Sequence, residues 1–316
     1  MRIRRTAAVM SAGVLALALA ACGGDDEPEV TAPDIDVTEE ETSEEEPAEE
    51  ETEAGGEFEA GTTMAELSDA GAITIGIKYD QPLFGLETLE GGFEGFDVEI
   101  ATMLAEKLSI PADGIEFVET VSANREPFLE QGQVDMVVAT YTINEERDEV
   151  IDFAGPYYVA GQDILVAAGN PLGIEGEDGL AGVRVCSAEG STPAQYVADN
   201  HPDAELTLLP EYSLCLESLL NGQIDAVTTD NVILSGYAFE NEGEVELVGN
   251  PFTEEPYGIG VPESEDKVFC EWVNEALNEM YEDGSWAEAF GATVGQGGVE
   301  TPEPPPTGSC ETLGAE

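Results

Sequence analysis

The chain has 316 residues, of which 69 are Asp or Glu and nine are Lys or Arg, and its formal net charge is −60. A negative charge of this size excludes nucleic acid as a partner and repels anionic lipid. The length is enough for about two domains.

The first 21 residues have the pattern of an export signal. Three Arg among the first five residues precede an apolar run that is too short to span a bilayer, and small residues follow it. The segment LAAC that ends at Cys22 resembles a bacterial lipobox. That resemblance implies cleavage before Cys22, diacylation of Cys22 and a protein anchored at the outer face of a membrane. An ordinary cleaved signal with an unrelated Cys is the alternative.

An acidic linker is predicted for residues 22–62. Residues 23–60 contain eighteen Asp or Glu, no Lys or Arg, and few large apolar side chains. Such a segment cannot bury a core, and its self-repulsion keeps it extended. We expect it to be a solvated spacer. Calcium binding is the alternative, but the spacing of the acids matches no calcium-binding loop.

From residue 72 the hydrophobic pattern alternates between strand and helix, which indicates an α/β fold. A first set of elements comprises strand 72–78, helix 96–109, strand 115–119, helix 124–131 and strand 134–140, and strand 163–168 follows it. A second set comprises strand 182–187, helix 192–199, strand 205–209, helix 213–221, strand 224–229, helix 231–240 and strand 245–248.

The strand at 257–261 and the helix at 265–281 are too few to bury a core of their own. We expect them to return to the first set, so that the chain crosses between two lobes near 161–164 and again near 252–256. The resulting division gives lobe 1 from 63–162 and 255–300, lobe 2 from 163–254, and a Pro-rich tail at 301–316.

One local pattern occurs twice, ninety residues apart. EQGQVDMVVAT at 130–140 and LNGQIDAVTTD at 220–230 each place Gly-Gln after a helix, then an apolar strand, then a polar residue. Ligands of open α/β sheets bind beyond the carboxyl ends of the strands. Thr140 and Asp230 are therefore predicted to face a small molecule from two sheets. Generic turns before buried strands are the alternative.

Cations gather at the same predicted edge of the first sheet. Lys78 ends the first strand, Arg125 precedes the helix after the third, and Arg147 follows Thr140 and Thr142. An Arg binds a carboxylate through two parallel hydrogen bonds, and Thr hydroxyls can donate to the same oxygens. This edge is predicted to bind an anion. For Arg147 the alternative is a weak surface pair with a neighbouring acid.

In the second set, the turn AEGST at 188–192 opens a helix, so its backbone N–H groups attract an anion. A simple N-cap by Ser191 or Thr192 is compatible with that interpretation. Asp230 can accept an ammonium. Together these groups fit a molecule that carries a carboxylate and an ammonium on one carbon.

If Cys22 is acylated, four cysteines remain in an exported protein, which favours disulfides over metal binding. Pairing sequence neighbours would join Cys186 to Cys215 and Cys270 to Cys310, although four cysteines allow three pairings. No pair has the spacing of a zinc site.

Several segments resemble the family 3 extracellular solute-binding proteins of ABC importers for polar amino acids, in particular the glutamate/aspartate-binding lipoproteins. They are GIKYDQPLFG (76–85), GFEGFDVEIATMLAEKL (92–108), VVATYTINEERDEVIDFAGPYY (137–158), EGST (189–192) and VTTD (227–230). The resemblance covers about residues 63–290. It implies a two-lobed, type II periplasmic-binding-protein-like fold, a monomer that delivers its ligand to permease subunits in the membrane, and no cofactor.

The resemblance also implies roles for individual residues. The α-carboxylate of the ligand would be held by Arg147, Thr140 and Thr142 with the amides of Ser191 and Thr192, and the α-ammonium by Asp230. An Arg at the place of Arg125 meets a side-chain carboxylate in the acidic-amino-acid members, and Lys78 stands where cationic-ligand members carry an acid. Ala139 departs from the pattern, because many relatives have Ser there.

There are three alternative functions. A few proteins of this fold are cyclohexadienyl dehydratases, so an enzyme is one alternative; a binding protein for glutamine is another. A sensor ectodomain is disfavoured, because the chain shows no signalling domain. The single histidine, His201, lies in a Pro-containing turn and is predicted to be a solvent-exposed residue with no catalytic or metal role.

Overall fold

The computed structural model describes residues 58–311. The predicted signal, the predicted lipidation site Cys22 and the predicted linker up to residue 57 lie outside the described residues, as do residues 312–316. Phe58, within the predicted linker, packs edge-on against Trp272 with ring centroids 6.0 Å apart. Within the described part of the chain, no helix combines the length and apolarity that crossing a membrane requires.

The described residues alternate between strands and helices. The helices are α1 Thr63–Ala70, α2 Phe96–Lys107, α3 Arg125–Glu130, α4 Glu145–Asp148, α5 Thr192–Asn200, α6 Tyr212–Leu220, α7 Asn231–Glu240, α8 Val268–Asp283 and α9 Ser285–Ala292. The strands are β1 Ile73–Ile77, β2 Asp80–Gln81, β3 Gly85–Glu87, β4 Phe93–Glu94, β5 Ile115–Glu119, β6 Met136–Thr142, β7 Ile151–Ala160, β8 Gln162–Ala167, β9 Arg184–Ala188, β10 Glu205–Leu209, β11 Ala226–Asp230, β12 Val245–Leu247 and β13 Glu255–Pro262.

Two five-stranded sheets organise the fold. The first has the order β5-β1-β6-β13-β7, with β5, β1 and β6 parallel and β13 antiparallel to both of its neighbours. The second has the order β10-β9-β11-β8-β12, with β10, β9 and β11 parallel and β8 antiparallel to β11 and β12. Helices cover both sheets, and each sheet has its own buried apolar clusters.

The chain passes between the sheets twice. It leaves the first sheet at Gly161, between β7 and β8, and returns to it after β12, between residues 248 and 254. Strand β13 and helix α8 then pack on the first sheet. The predicted two-lobed α/β fold is confirmed, and we call the two halves lobe 1 and lobe 2.

The repeated sequence pattern forms the same connection in both lobes. Gly132 and Gly222 follow α3 and α6 with φ of 61° and 68°, a left-handed conformation in which glycine meets no steric penalty. The next acid in each copy then ties its strand to a neighbour: Asp135 Oδ2 accepts the N–H of Thr74 at 2.8 Å, and Asp225 Oδ2 accepts the N–H of Arg184 at 3.1 Å. The same turn and the same type of hydrogen bond therefore precede the central strand of each lobe, β6 and β11.

Some elements were not predicted. The hydrophobic pattern gave no signal for the ten-residue strand β7, which contains Pro156. Proline is tolerated there because β7 lies at the edge of the first sheet, where one side of the strand needs no partner. The small β2-β3-β4 sheet, α1 and α9 were also missed. The strand predicted at 134–140 is Met136–Thr142, and its later end follows from pairing with β13 that continues past residue 140.

Both predicted disulfides are present. Cys186 on β9 is bonded to Cys215 on α6 inside lobe 2. Cys270 on α8 is bonded to Cys310 in the tail, and closes a loop with a sequence separation of 40 residues. The tail also bonds to lobe 1 through backbone, since the N–H of Gly308 donates to the carbonyl of Gly155 at 2.6 Å.

Replacing Cys270 and Cys310 together with Ser should lower the free energy of unfolding by roughly 3 to 4 kcal/mol, because the unfolded chain regains the entropy of a closed loop. Urea denaturation measures the change. Asn278→Ala is the control, since it removes only the exposed contact with Thr307 and should cost at most about 0.5 kcal/mol. An unchanged urea midpoint in the double variant would show that the disulfide does not stabilise the fold.

Candidate functional site

A small polar cavity lies between the two lobes. It is lined by Ser122, Arg125, Thr140, Thr142, Ser191, Thr192, Pro193, Tyr212, Asp230 and Ile233. Six of the eight predicted ligand-binding residues are in this set. The other two adjoin it, because Lys78 Nζ donates to Ser122 Oγ at 3.0 Å and Arg147 Nη1 donates to the carbonyl of Thr142 at 2.6 Å.

An irregularity in β6 shapes the wall that lobe 1 contributes. Thr140 has φ of 43°, which is unusual for a β-branched residue, and the register between β6 and β13 shifts beside it. Asp97 Oδ2 accepts the N–H of Thr140 at 2.8 Å, and Gln81 Oε1 accepts its hydroxyl at 3.0 Å. These two buried partners hold Thr140 in a strained conformation against the cavity.

Two guanidinium groups flank the ring of one tyrosine. The Cζ of Arg125 lies 4.1 Å from the centroid of the Tyr141 ring, and the Cζ of Arg147 lies 5.1 Å from it. Arg125 also donates to the carbonyls of Ala139 and Thr140. Cation–π contact and carbonyl acceptors thus fix the positions of two like charges that repel each other.

Arg147 connects the lobes. Its Nη2 donates to the carbonyl of Gly190 in lobe 2 at 3.0 Å, and its Nε lies 3.1 Å from Glu126 Oε1 in lobe 1. Burial, followed by the charge of Arg125, lowers the pKa of Arg147 to about 10. The residue is 7% exposed, so the alternative of a weak, solvent-exposed surface pair is wrong.

Lys78 is a buried cation with few partners. Its side chain reaches Ser122 Oγ, the single hydrogen-bond acceptor that the described residues give to its ammonium, which can donate three hydrogen bonds. Burial, followed by the charge of Arg125, lowers the pKa of Lys78 to about 7. Asp80 and Asp97 oppose that shift. An additional anion beside Lys78 would stabilise its charged form.

The N-terminus of α5 forms part of the wall from lobe 2. Ser191 is the N-cap, and its hydroxyl oxygen accepts the N–H of Ala194 at 3.1 Å. The amide of Ser191 already donates to the carbonyl of Ala188 at 3.2 Å, and Pro193 has no N–H. Of the two amides predicted to bind an anion, Thr192 is therefore the better donor, since a first-turn N–H has no acceptor within its helix.

Asp230, the last residue of β11, is 3% exposed. Its Oδ2 accepts the hydroxyl of Tyr257 from lobe 1 at 2.6 Å, while its Oδ1 has no partner among the described residues. Burial raises the pKa of Asp230 to about 8, and the nearby negative charge of Glu255 adds to the shift. A cation placed beside Oδ1 would reverse that shift.

The sequence did not reveal several residues of the site. They are Gln81, Asp97, Ser122, Tyr141, Tyr212, Glu255 and Tyr257. For Asp97 a signal existed, because an acid stands on the apolar face of α2 beside Phe96 and Ile100. For Tyr141 and Tyr257 there was no such signal in the sequence, since an aromatic residue in a strand usually indicates a residue of the hydrophobic core.

His201 is less exposed than predicted. Its side chain is 16% exposed, because it packs beside Tyr196 and its Nε2 lies 3.0 Å from Glu177 Oε2. These contacts are in lobe 2, and His201 is not among the residues that line the cavity. In the part of the chain that the structure describes, no group of three or more His, Cys, Asp or Glu side chains is arranged to hold a metal ion.

Two α/β lobes that enclose a small polar cavity define a two-lobed solute-binding protein. The sequence model of the family described as bacterial extracellular solute-binding proteins, family 3, matches residues 73–292. The chain belongs to this family, as its motifs indicated.

Named relatives cover most of the chain. The glutamate-binding protein GluB of Corynebacterium efficiens is 40% identical over 254 residues, which are 77% of this chain and 85% of the relative. The ABC transporter glutamine-binding protein GlnH of Bacillus subtilis is 38% identical over 230 residues, or 72% of this chain and 83% of the relative. Among solved structures, an ancestral arginine-binding protein bound to glutamine has a TM-score of 0.66 and 33% identity, covering 71% of this chain and 97% of that one.

Asp230→Asn should change how the stability of the ligand-free protein depends on pH. The pKa of Asp230 is about 8 in the fold and about 4 in an unfolded chain. Between these values the folded state holds a proton that the unfolded state has lost, so this group lowers the free energy of unfolding as pH rises. The variant removes that contribution and should gain stability relative to the wild type from pH 5 to pH 8.

Urea denaturation at pH 5 and pH 8 measures this difference. Asp225→Asn is the control, because a hydrogen bond from Arg184 lowers the pKa of Asp225 and its titration lies below that range. If the stability difference between Asp230→Asn and the wild type were the same at both pH values, Asp230 would not be the buried acid described here.

Proposed function

We propose that this protein captures glutamate outside the cytoplasm and delivers it to the permease of an ABC importer. Aspartate is the other acidic amino acid that the same charges would fit. The name of the GluB relative supports an acidic ligand, while the name of GlnH makes glutamine the nearest alternative. The observation that carries the choice is the position of Lys78.

Among the described residues, no carboxylate forms a hydrogen bond or an ion pair with either of the cations Lys78 and Arg125. Lys78 is 4% exposed and Arg125 is 2% exposed, and within the described residues their hydrogen bonds go to a hydroxyl and to backbone carbonyls. A buried charge is costly unless an opposite charge accompanies it. A side-chain carboxylate on the ligand would supply that charge.

The other charged groups suit the zwitterionic end of an amino acid. Arg147, Thr140 and Thr142 from lobe 1 and the amide of Thr192 from lobe 2 would hold the α-carboxylate. Asp230 would accept the α-ammonium on its unpaired Oδ1. A ligand bound this way contacts both lobes, so it favours the closed arrangement by its differential affinity for that state.

Glutamine satisfies the same site less well. Lys and Arg side chains donate hydrogen bonds but cannot accept them. The carbonyl oxygen of a glutamine amide could accept from Lys78 or Arg125, but its NH₂ group would face cations. A polar group left without a partner in a buried site costs about 1 to 3 kcal/mol.

Binding without turnover is the proposed activity. Lys78 and Asp230 have pKa values shifted toward neutrality, which is also a property of acid–base catalysts. The named relatives are binding proteins, however. The same pKa shifts are also expected in a binding site whose charged groups are unpaired until a ligand of opposite charge binds. Recovering the amino acid chemically unchanged after incubation would distinguish a binding protein from a dehydratase-like enzyme.

The family acts outside the cytoplasm, and we propose that a lipid on Cys22 holds this member at the membrane. The acidic segment that follows Cys22 would act as a spacer, and a single copy of the chain would dock on the permease. The lipobox-like segment before Cys22 supports the anchor.

Calorimetric titration should show glutamate bound at least roughly ten-fold more tightly than glutamine, which corresponds to about 1.4 kcal/mol. Lys78→Met keeps the length of the side chain and removes the charge. It should weaken glutamate binding by roughly thirty-fold or more, since breaking a buried charge pair costs about 2 to 5 kcal/mol. Glutamine affinity should change much less.

Lys107→Met is the matched control. It removes the same charge from a partly exposed residue that pairs with Glu279 on the outside of lobe 1. The control should keep both affinities. A wild type that prefers glutamine, or a Lys78→Met variant with an unchanged preference, would remove Lys78 from the proposed role.

Protein purified from a bacterial host should begin at Cys22 and carry diacylglycerol on its sulfur. Mass spectrometry of the N-terminal peptide tests this. Cys22→Ser should yield protein released from the membrane with the same ligand affinity, because the anchor is remote in sequence from the proposed site. An unmodified N-terminus at another residue would contradict the anchor.

A further inference from the structure

A further contact joins the lobes beside the cavity. Asp80, on β2 of lobe 1, accepts the N–H of Ser213 in lobe 2 at Oδ2, at 3.0 Å. The hydroxyl of Tyr237 on α7 donates to the carbonyl of Asp80 at 2.9 Å and to its Oδ2 at 3.2 Å. None of these three residues lines the cavity. We call this set of interactions the Asp80 contact.

The Asp80 contact supplies an N-terminal cap to helix α6, which has no side-chain cap from lobe 2. The side chain of Glu211, the N-cap residue of α6, accepts no backbone N–H of the helix. Ser213 is the second residue of α6, and its N–H is one that an N-cap side chain ordinarily accepts. The carboxylate of Asp80 takes that place from the opposite lobe, with the charge that a helix N-terminus favours.

Close packing on α7 accompanies the hydrogen bonds. A Cβ atom added at Gly236 would lie 2.4 Å from the carbonyl oxygen of Pro82, two residues after Asp80. Glycine is otherwise unfavourable in the interior of a helix. Glycine at position 236 therefore lowers the stability of α7, but it leaves room for lobe 1 to approach the backbone of lobe 2.

We propose that the Asp80 contact stabilises the closed arrangement without touching the ligand, so that Asp80 is a positioning residue for closure. This inference rests on the proposed function only in that some amino acid binds between the lobes. Separating the lobes would break the contact, so its free energy belongs to the closed state alone. Where the unliganded protein is mainly open, that free energy adds to the affinity of every ligand by the same factor.

Asp80→Ala should weaken the binding of glutamate and of glutamine by one common factor of roughly two- to thirty-fold, the range expected for loss of an N-cap. Asp80→Asn, which keeps an oxygen acceptor, should recover part of the loss. Tyr237→Phe should weaken both ligands to a smaller extent. Calorimetric titration measures all three variants.

Gly236→Ala gives an independent test with opposite signs. The substitution should raise the urea midpoint of the unliganded protein, because alanine is the better helix former. It should also weaken both ligands, because the added methyl group would collide with Pro82 on closure. A residue with a purely structural role would not combine a gain in stability with a loss of affinity.

Asp135→Ala is the control for removing a carboxylate that accepts a backbone N–H. Asp135 bonds to Thr74 within lobe 1, so the variant should lose stability and keep its affinity. Solution scattering of Asp80→Ala at a glutamate concentration that saturates only the wild type should show a larger radius of gyration than the wild type.

Two results would overturn the proposal: an unchanged affinity in Asp80→Ala or Gly236→Ala, or a loss in Asp80→Ala that is confined to glutamate. The second result would mean that Asp80 acts through Lys78, whose charged form it stabilises. If the wild type bound neither glutamate nor glutamine, the proposed function would fail. The same variants titrated with whichever amino acid binds would still test the Asp80 contact.

Discussion

Three cationic side chains held together in one cleft are the constraint on which the rest of the site depends. Lys78, Arg125 and Arg147 are each at most 7% exposed, and each lies in the field of the others. Backbone carbonyls and the ring of Tyr141 fix the positions of Arg125 and Arg147, and Glu126 pairs with Arg147. Within the described residues, no carboxylate pairs with Lys78 or Arg125. The surrounding fold must hold these cations together against their mutual repulsion. An anion that enters the cavity would reduce that repulsion.

An opposite imbalance lies a short distance away. Asp230 and Glu255 are buried acids whose negative charges repel each other. The hydroxyl of Tyr257 donates to Asp230, and the hydroxyl of Thr192 donates to Glu255. A zwitterion with a second carboxylate relieves the excess positive and the excess negative charge together. The unpaired charges at both ends of the cavity therefore lower the stability of the unliganded fold. This is a trade-off between stability and function.

The sequence predicted what local pattern and charge determine. Alternating periodicities gave the α/β class, and the rarity of Lys and Arg made the cluster of Lys78, Arg125 and Arg147 visible. Contacts between distant segments could not be read in this way. The left-handed conformation of Thr140 depends on Asp97 and Gln81, and the cap on α6 comes from Asp80, 133 residues from Ser213. Strand β7 was missed because its place at a sheet edge, which tolerates Pro156, is a property of the assembled sheet.

The acidic surface and the cationic cleft act over different distances. Nine Lys or Arg less the three before Cys22 leave six, and half of these are at the cleft. A net charge of −60 repels an acidic amino acid in solution, but at physiological ionic strength the field fades over about 8 Å. Inside the cleft the proposed ligand would meet Lys78 and Arg125 with little water to screen them. Surface charge would therefore slow the arrival of the proposed acidic ligand, and its affinity would depend on slow release, the step that closure of the lobes would control.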